Sequence, residues 1–109
     1  YTLMTRAGAA AVAEAREQFP DARRWQIICG AGNNAGDGYV VARLAAAEGI
    51  AVSVIAIVDP GSLSGDAATA YGDFEADGGE CAPWSGELDA AADRMKNTHM
   101  LLCENSARA

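Results

Sequence analysis

Basic residues are scarce in this chain. Its 109 residues include eight lysines and arginines against fifteen aspartates and glutamates, for a net charge of −7. Such an acidic surface argues against a nucleic-acid partner and against anionic membranes. Lysine is rarer still, with none before Lys96. The Gly-Lys-Ser/Thr that a P-loop needs at its helix start is therefore missing, which excludes a nucleoside triphosphatase of that type. His99 is the single histidine, and the three cysteines (Cys29, Cys81 and Cys103) are widely spaced with no C-x-x-C. Neither a zinc site nor a redox motif is written here. Reduced thiols in a cytoplasmic protein are the expected state. No apolar run approaches the ~18–20 residues that cross a bilayer, and no signal peptide is visible. The chain starts at Tyr1 rather than at methionine, so a missing N-terminal segment is expected.

Half of the residues are apolar, and a chain of this length makes one small domain that buries roughly 65% of its unfolded surface. Leu3, Met4, Ala7, Ala11 and Val12 recur at helical spacing, which predicts a helix over 2–18 that stops at Phe19-Pro20-Asp21. Trp25–Cys29 reads as a short strand, with Ile27 and Ile28 inside a continuous apolar stretch, as in a buried parallel strand. A second helix is predicted from Asp37, its N-cap, to Glu48, with Gly49 as the C′ residue. Ala51–Val58 reads as the strongest strand, and Asp59-Pro60-Gly61 turns at its end. Residues 25–58 thus have the length and order of a βαβ crossover. Ser64 is expected to cap a third helix over 65–77, ended by Gly78-Gly79. Cys81–Trp84 reads as a short edge strand, a reading that Pro83 weakens. Ser85–Lys96 reads as a fourth helix, followed by the apolar run Met100–Cys103.

Between the first strand and the second helix lies Gly30-Ala31-Gly32-Asn33-Asn34-Ala35-Gly36-Asp37-Gly38. A glycine-rich turn there exposes backbone N–H groups at a helix N-terminus, where a phosphate binds. It departs from the dinucleotide fingerprint G-x-G-x-x-G, because Gly36 comes one residue too late after Gly32. A plain structural reading stands beside each residue. Asn33 and Asn34 can hold the turn through side-chain-to-backbone bonds. Asp37 can be a helix cap only, Asp66 a first-turn carboxylate, and Cys29 an inert core thiol. Arg6 and Arg43 fit surface or ion-pair positions.

G-x-G-N-N-x-G-D-G is similar to the signature of the NAD(P)H-hydrate epimerase family, the YjeF N-terminal domain. Leu3-Met4-x-Arg6-Ala7-Gly8, Gly38-Tyr39-Val40-Val41-Ala42-Arg43 and Leu63-Ser64-Gly65-Asp66-Ala67 resemble three further motifs of that family, in order. The resemblance implies an α/β fold: a Rossmann-like three-layer α/β/α sandwich with a mostly parallel sheet, here truncated. Residues 1–96 would be a partial domain of this kind and 97–109 a divergent tail. It implies an isomerase that interconverts the R and S forms of hydrated NADH and NADPH. A fused or separate ADP- or ATP-dependent dehydratase would consume the S form. It also implies a bound potassium ion, and it permits a homodimer. Carried over by position, Asn33, Asn34, Ala35, Gly36 and Asp37 would contact the substrate, and Asn34 would give potassium an oxygen. Ala35 stands where the family usually has glycine.

The family's next landmark is a strand Val-Asp-Ala-Leu-Phe-Gly-Thr-Gly, whose aspartate is its acid/base. Ala90-Ala91-Ala92-Asp93 resembles the approach to that strand, but Arg94–His99 does not match, and no aspartate follows Asp93. No catalytic residue is assigned, and Glu104 is not given that role. Epimerisation requires moving protons, for which a positioned carboxylate is the natural agent. Three readings stay open: a partial, weakly active or inactive epimerase, a non-catalytic nucleotide-binding or scaffold module, and a nonfunctional product of a damaged reading frame. A sheet cut short after Asp93 would expose an edge, so marginal stability or association is expected.

Overall fold

Alanine-rich sequence carries the chain into helix at once. The computed structural model describes residues 1–83 and 100–105. Helix α1 spans Thr2–Gln18 and closes where the Phe19 N–H donates to the Ala15 carbonyl, just before Pro20. Strand β1 (Ala22–Cys29) begins three residues earlier than its apolar run indicates. Its start, the half-buried Ala22 and the exposed Arg23 and Arg24, carries little hydrophobic signal and is set by pairing with neighbouring strands. Helix α2 (Gly32–Ala47) and strand β2 (Ala51–Ala56) complete the crossover. A single 3-10 turn over Pro60–Ser62 leads to helix α3 (Gly65–Ala76). Strand β3 (Cys81–Pro83) and strand β4 (Met100–Asn105) follow. The expected helix over 85–96 lies outside the described residues.

The sheet order is β3-β2-β1-β4. β1, β2 and β3 run parallel, and β4 runs antiparallel along the other side of β1. Pro83, which has no N–H to give a ladder, sits at the end of the short edge strand, as expected. Met100–Cys103 joins the sheet and extends to Asn105.

Alternate residues of β1 (Trp25, Ile27 and Cys29) and Val54 of β2 face a core shared with all three helices. α2 is its centre, packed on β1 and β2 below and between α1 and α3 at its sides. That position explains a helix apolar almost all round, with Tyr39, Val40, Val41, Ala42 and Ala45 buried. Among the described residues, then, the fold is α/β, with one helical layer on an open, mostly parallel sheet.

Helices α2 and α3 end alike. The Gly49 N–H donates to Ala46 and the Ile50 N–H to Ala45; the Gly78 N–H donates to Glu75 and the Gly79 N–H to Phe74. These are Schellman closures, and they need a left-handed residue at C′. Gly49 and Gly78 supply it, with φ of 89° and 90°.

Candidate functional site

Ligands of open α/β sheets bind outside the carboxyl ends of the strands, where the strand order reverses. Here β1 has β2 parallel to it on one side and β4 antiparallel on the other, so the carboxyl ends of β1, β2 and β3 share one rim. The chain leaves β1 at Cys29 and enters α2 within three residues. Ala31 is the N-cap in an extended conformation, and Gly32 follows with φ 61°. An alanine cap has no side chain to accept from the first-turn N–H groups. Those groups are left pointing at the rim of the sheet, at the positive end of the helix.

This geometry corrects one sequence expectation. Asp37 is not the N-cap; it lies in the second turn, five residues past Gly32. The glycines and asparagines that read as a turn are helical because the neighbouring helices hold them. Ala35 and Gly36 are buried, and a methyl group on Gly36 would lie 2.8 Å from Met4 Cε of α1 and 2.9 Å from the Ala67 Cα of α3. Three helices meet at Gly36, and that packing outweighs the poor helix propensity of the segment.

Helical spacing also sorts the expected site residues. Asn33 and Asp37, four apart, share a face; Asn33 is exposed and Asp37 half-buried. Asp37 makes no hydrogen bond or ion pair to any other described side chain. Ala35 and Gly36 point into the core and can meet a ligand through backbone only. The potassium role expected of Asn34 concerns a side chain outside those described. Arg6 is exposed and Arg43 half-buried. Among the described residues, no group of three histidine, cysteine, aspartate or glutamate side chains is placed to hold a metal ion. No described helix is long and apolar enough to cross a membrane.

The family described as "YjeF-related protein N-terminus" matches residues 1–101. The chain belongs to this family. It is 44% identical over 102 residues to the bifunctional NAD(P)H-hydrate repair enzyme Nnr of Escherichia coli (strain K12), covering 90% of this chain and 20% of that protein. It is 42% identical over 93 residues to the Vibrio cholerae protein of the same name, covering 85% and 19%. The NAD(P)H-hydrate epimerase of Cereibacter sphaeroides is 36% identical over 113 residues, covering 92% and 52%. The chain thus spans about a fifth of the two bifunctional relatives and about half of the epimerase.

Under the family's rim, this member places two thiols and a tyrosine. The Tyr39 hydroxyl lies 3.9 Å from Cys81 Sγ, and its ring meets Tyr71 edge-on at 5.0 Å and Phe74 at 5.4 Å. Cys29 and Cys81 lie on the same sheet face as Val54, but β2 separates their strands. Two strand spacings put their backbones roughly 10 Å apart, beyond the ~7 Å limit of a disulfide. Both are free, as expected.

Burial pushes the Cys29 thiol well above its ordinary range, with nearby Cys81 adding to it. Burial raises Tyr39 as well, helped by both thiols. A group raised in the folded state contributes its full stability below its unfolded pKa and loses it as pH climbs. Stability is therefore expected to be flat near neutrality and to fall above about pH 8.5, where unfolded thiols ionise. Each such group can add up to about 1.4 kcal/mol per pH unit to the slope. Urea midpoints from pH 7 to about 10.5 measure this. Cys29→Ala should flatten the first part of the fall; an unchanged slope would contradict the assignment.

Proposed function

We propose that this chain is the substrate-binding part of an NAD(P)H-hydrate epimerase, acting on the R and S forms of hydrated NADH and NADPH. The observation that carries the reading is the start of α2. Its first-turn N–H groups, which the Ala31 N-cap leaves without a side-chain acceptor, face the rim at the carboxyl end of β1, within a chain that matches the family over residues 1–101. There the backbone from Gly32 to Asn34 would take the phosphates. Asn33 and Asp37 would form the polar face beside them.

Potassium belongs to the same proposal. The donors on this face are amide and carboxylate oxygens, the hard ligands such a cation prefers. Asn34 would give it an oxygen, and its charge would offset that of the phosphates. A positive helix end disfavours a bare cation, so potassium should bind together with the anionic ligand and raise its affinity. The bifunctional naming of the Escherichia coli relative supports a dehydratase that consumes the S form, in the same polypeptide or in another. A cytoplasmic, homodimeric protein is part of the same reading.

The decisive experiment supplies purified R-hydrate and follows the S form by chromatography, with and without potassium. Conversion above the spontaneous rate, increased by potassium, is the expected result. The competing reading is a binding module without turnover. It is favoured by the small number of rim carboxylates among the described residues, where Asp59 already accepts from the Gly61 N–H. Potassium-dependent ligand binding with no conversion would decide for the module.

A further inference from the structure

At the far end of α2, a cavity of about 260 Å³ opens between α2 and α3 beside their last turns. Arg43, Ala46 and Ala47 line it from α2, and Phe74, Asp77 and Gly79 from the end of α3. Roughly 16 Å or more of helix separates it from the first turn of α2. Arg43 is half-buried. Its Nε is shut off from solvent and has no hydrogen-bond partner among the described residues. The terminal nitrogens are therefore the part of the guanidinium that can meet a ligand. Arg43 forms no ion pair with a described carboxylate. Asp73, one turn before Asp77, accepts instead from the Tyr1 hydroxyl at 2.5 Å. Asp77 is the exposed C-cap of α3. A carboxylate there opposes the negative end of the helix. The last turn carries no basic residue to offset it, and no described cation pairs with it. Two opposite charges thus face one cavity, and neither neutralises the other.

We propose that this cavity binds a free α-amino acid with a branched apolar side chain. Such a molecule carries a carboxylate and an ammonium on one carbon, and each answers one of the two charges. The carboxylate accepts from the terminal N–H groups of Arg43, the planar fork that suits it. The ammonium donates to Asp77 and lies at the negative end of α3, where a cation is favoured. The ligand's side chain then rests on Phe74 and on the methyl groups of Ala46 and Ala47. Gly79 packs its backbone on the Phe74 ring, with no room there for a methyl group, so this wall is fixed. The size agrees. The volume lies below the ~300 Å³ at which sites for drug-sized molecules begin, too small for a dinucleotide and enough for an amino acid. A simple anion would meet Asp77 and the negative helix end. A simple amine would meet Arg43. A zwitterion satisfies both, and it does so whatever the rim binds.

L-Leucine is the probe, titrated into isotope-labelled protein and followed by amide NMR shifts. It should move the amides of Ala46, Ala47 and Gly79, with a dissociation constant in about the millimolar range expected of a small ligand in an open site. Isocaproate lacks the ammonium and isoamylamine lacks the carboxylate. Each should bind about tenfold more weakly or worse, the loss of a charged hydrogen bond. Arg43→Met keeps the buried stem and removes an Nε–H that has no acceptor, so the fold should hold. Leucine affinity should fall about tenfold in it, and isoamylamine affinity should not fall. Asp77→Asn changes an exposed position and should weaken leucine about threefold, the share of an exposed charge pair, while isocaproate binds no more weakly than before. Should Arg43→Met fail to fold, Asp77→Asn and the two half-ligands carry the test. Leucine that moves none of the three amides overturns the proposal. So does either half-ligand binding as tightly as leucine, or leucine affinity unchanged in Asp77→Asn.

Discussion

Replacing Tyr39 with alanine is expected to cost about 3–5 kcal/mol, the range for truncating a fully buried aromatic. The ring is 1% exposed and touches α3 through Tyr71 and Phe74. Its hydroxyl reaches β3 at Cys81. Tyr39 thus joins α2 to α3 and to β3. A domain of this size has about 5–15 kcal/mol of total stability, so the variant should be partly unfolded at room temperature or close to it. Tyr39→Phe separates packing from polarity. It keeps the ring and removes one O–H···S contact at 3.9 Å, so its cost should stay below about 1 kcal/mol. Urea unfolding of both variants measures the contrast, and similar losses would place the value of Tyr39 in its hydroxyl.

The second large effect is a reversal of sign between two helical glycines. Alanine normally stabilises a helix interior by about 1 kcal/mol relative to glycine. Gly72 in α3 has nothing within 4 Å of the position a methyl group would take, so Gly72→Ala should show that gain. Gly36→Ala should instead lose about 1–3 kcal/mol through overpacking. Met4 can swing its thioether aside, but Ala67 opposes the methyl with backbone at 2.9 Å, which moves only if α3 moves. Chemical denaturation of the two variants side by side is sufficient. Stabilisation by both would mean that the three-helix crossing is looser than described.

Where structure was set by a few adjacent residues, it could be read directly. Gly49 as C′, Gly78-Gly79 as the end of α3, and the turn at Asp59-Pro60-Gly61 depend on chemistry within a few residues of each. The strand at Trp25–Cys29 likewise needs only a short local run of apolar residues. Asp37 as a cap was the reading that failed, because Asn33–Gly36 have poor helix propensity. What makes them helical is Met4 and Ala67, thirty residues away on either side. The direction of β4 and the meeting of Tyr39 with Cys81 were illegible for the same reason. Each is made by segments that meet only after folding.

Gly36 has one more consequence. Its peptide group belongs to the same rigid crossing of α1, α2 and α3 that stands directly behind the first turn of α2. The amides facing the rim are therefore pre-organised before any ligand arrives. An anion meeting them loses its own freedom but orders no loop, which keeps the entropic cost of association low. Fast capture with no slow ordering phase is the kinetic signature of such a site, in contrast to one that closes around its guest.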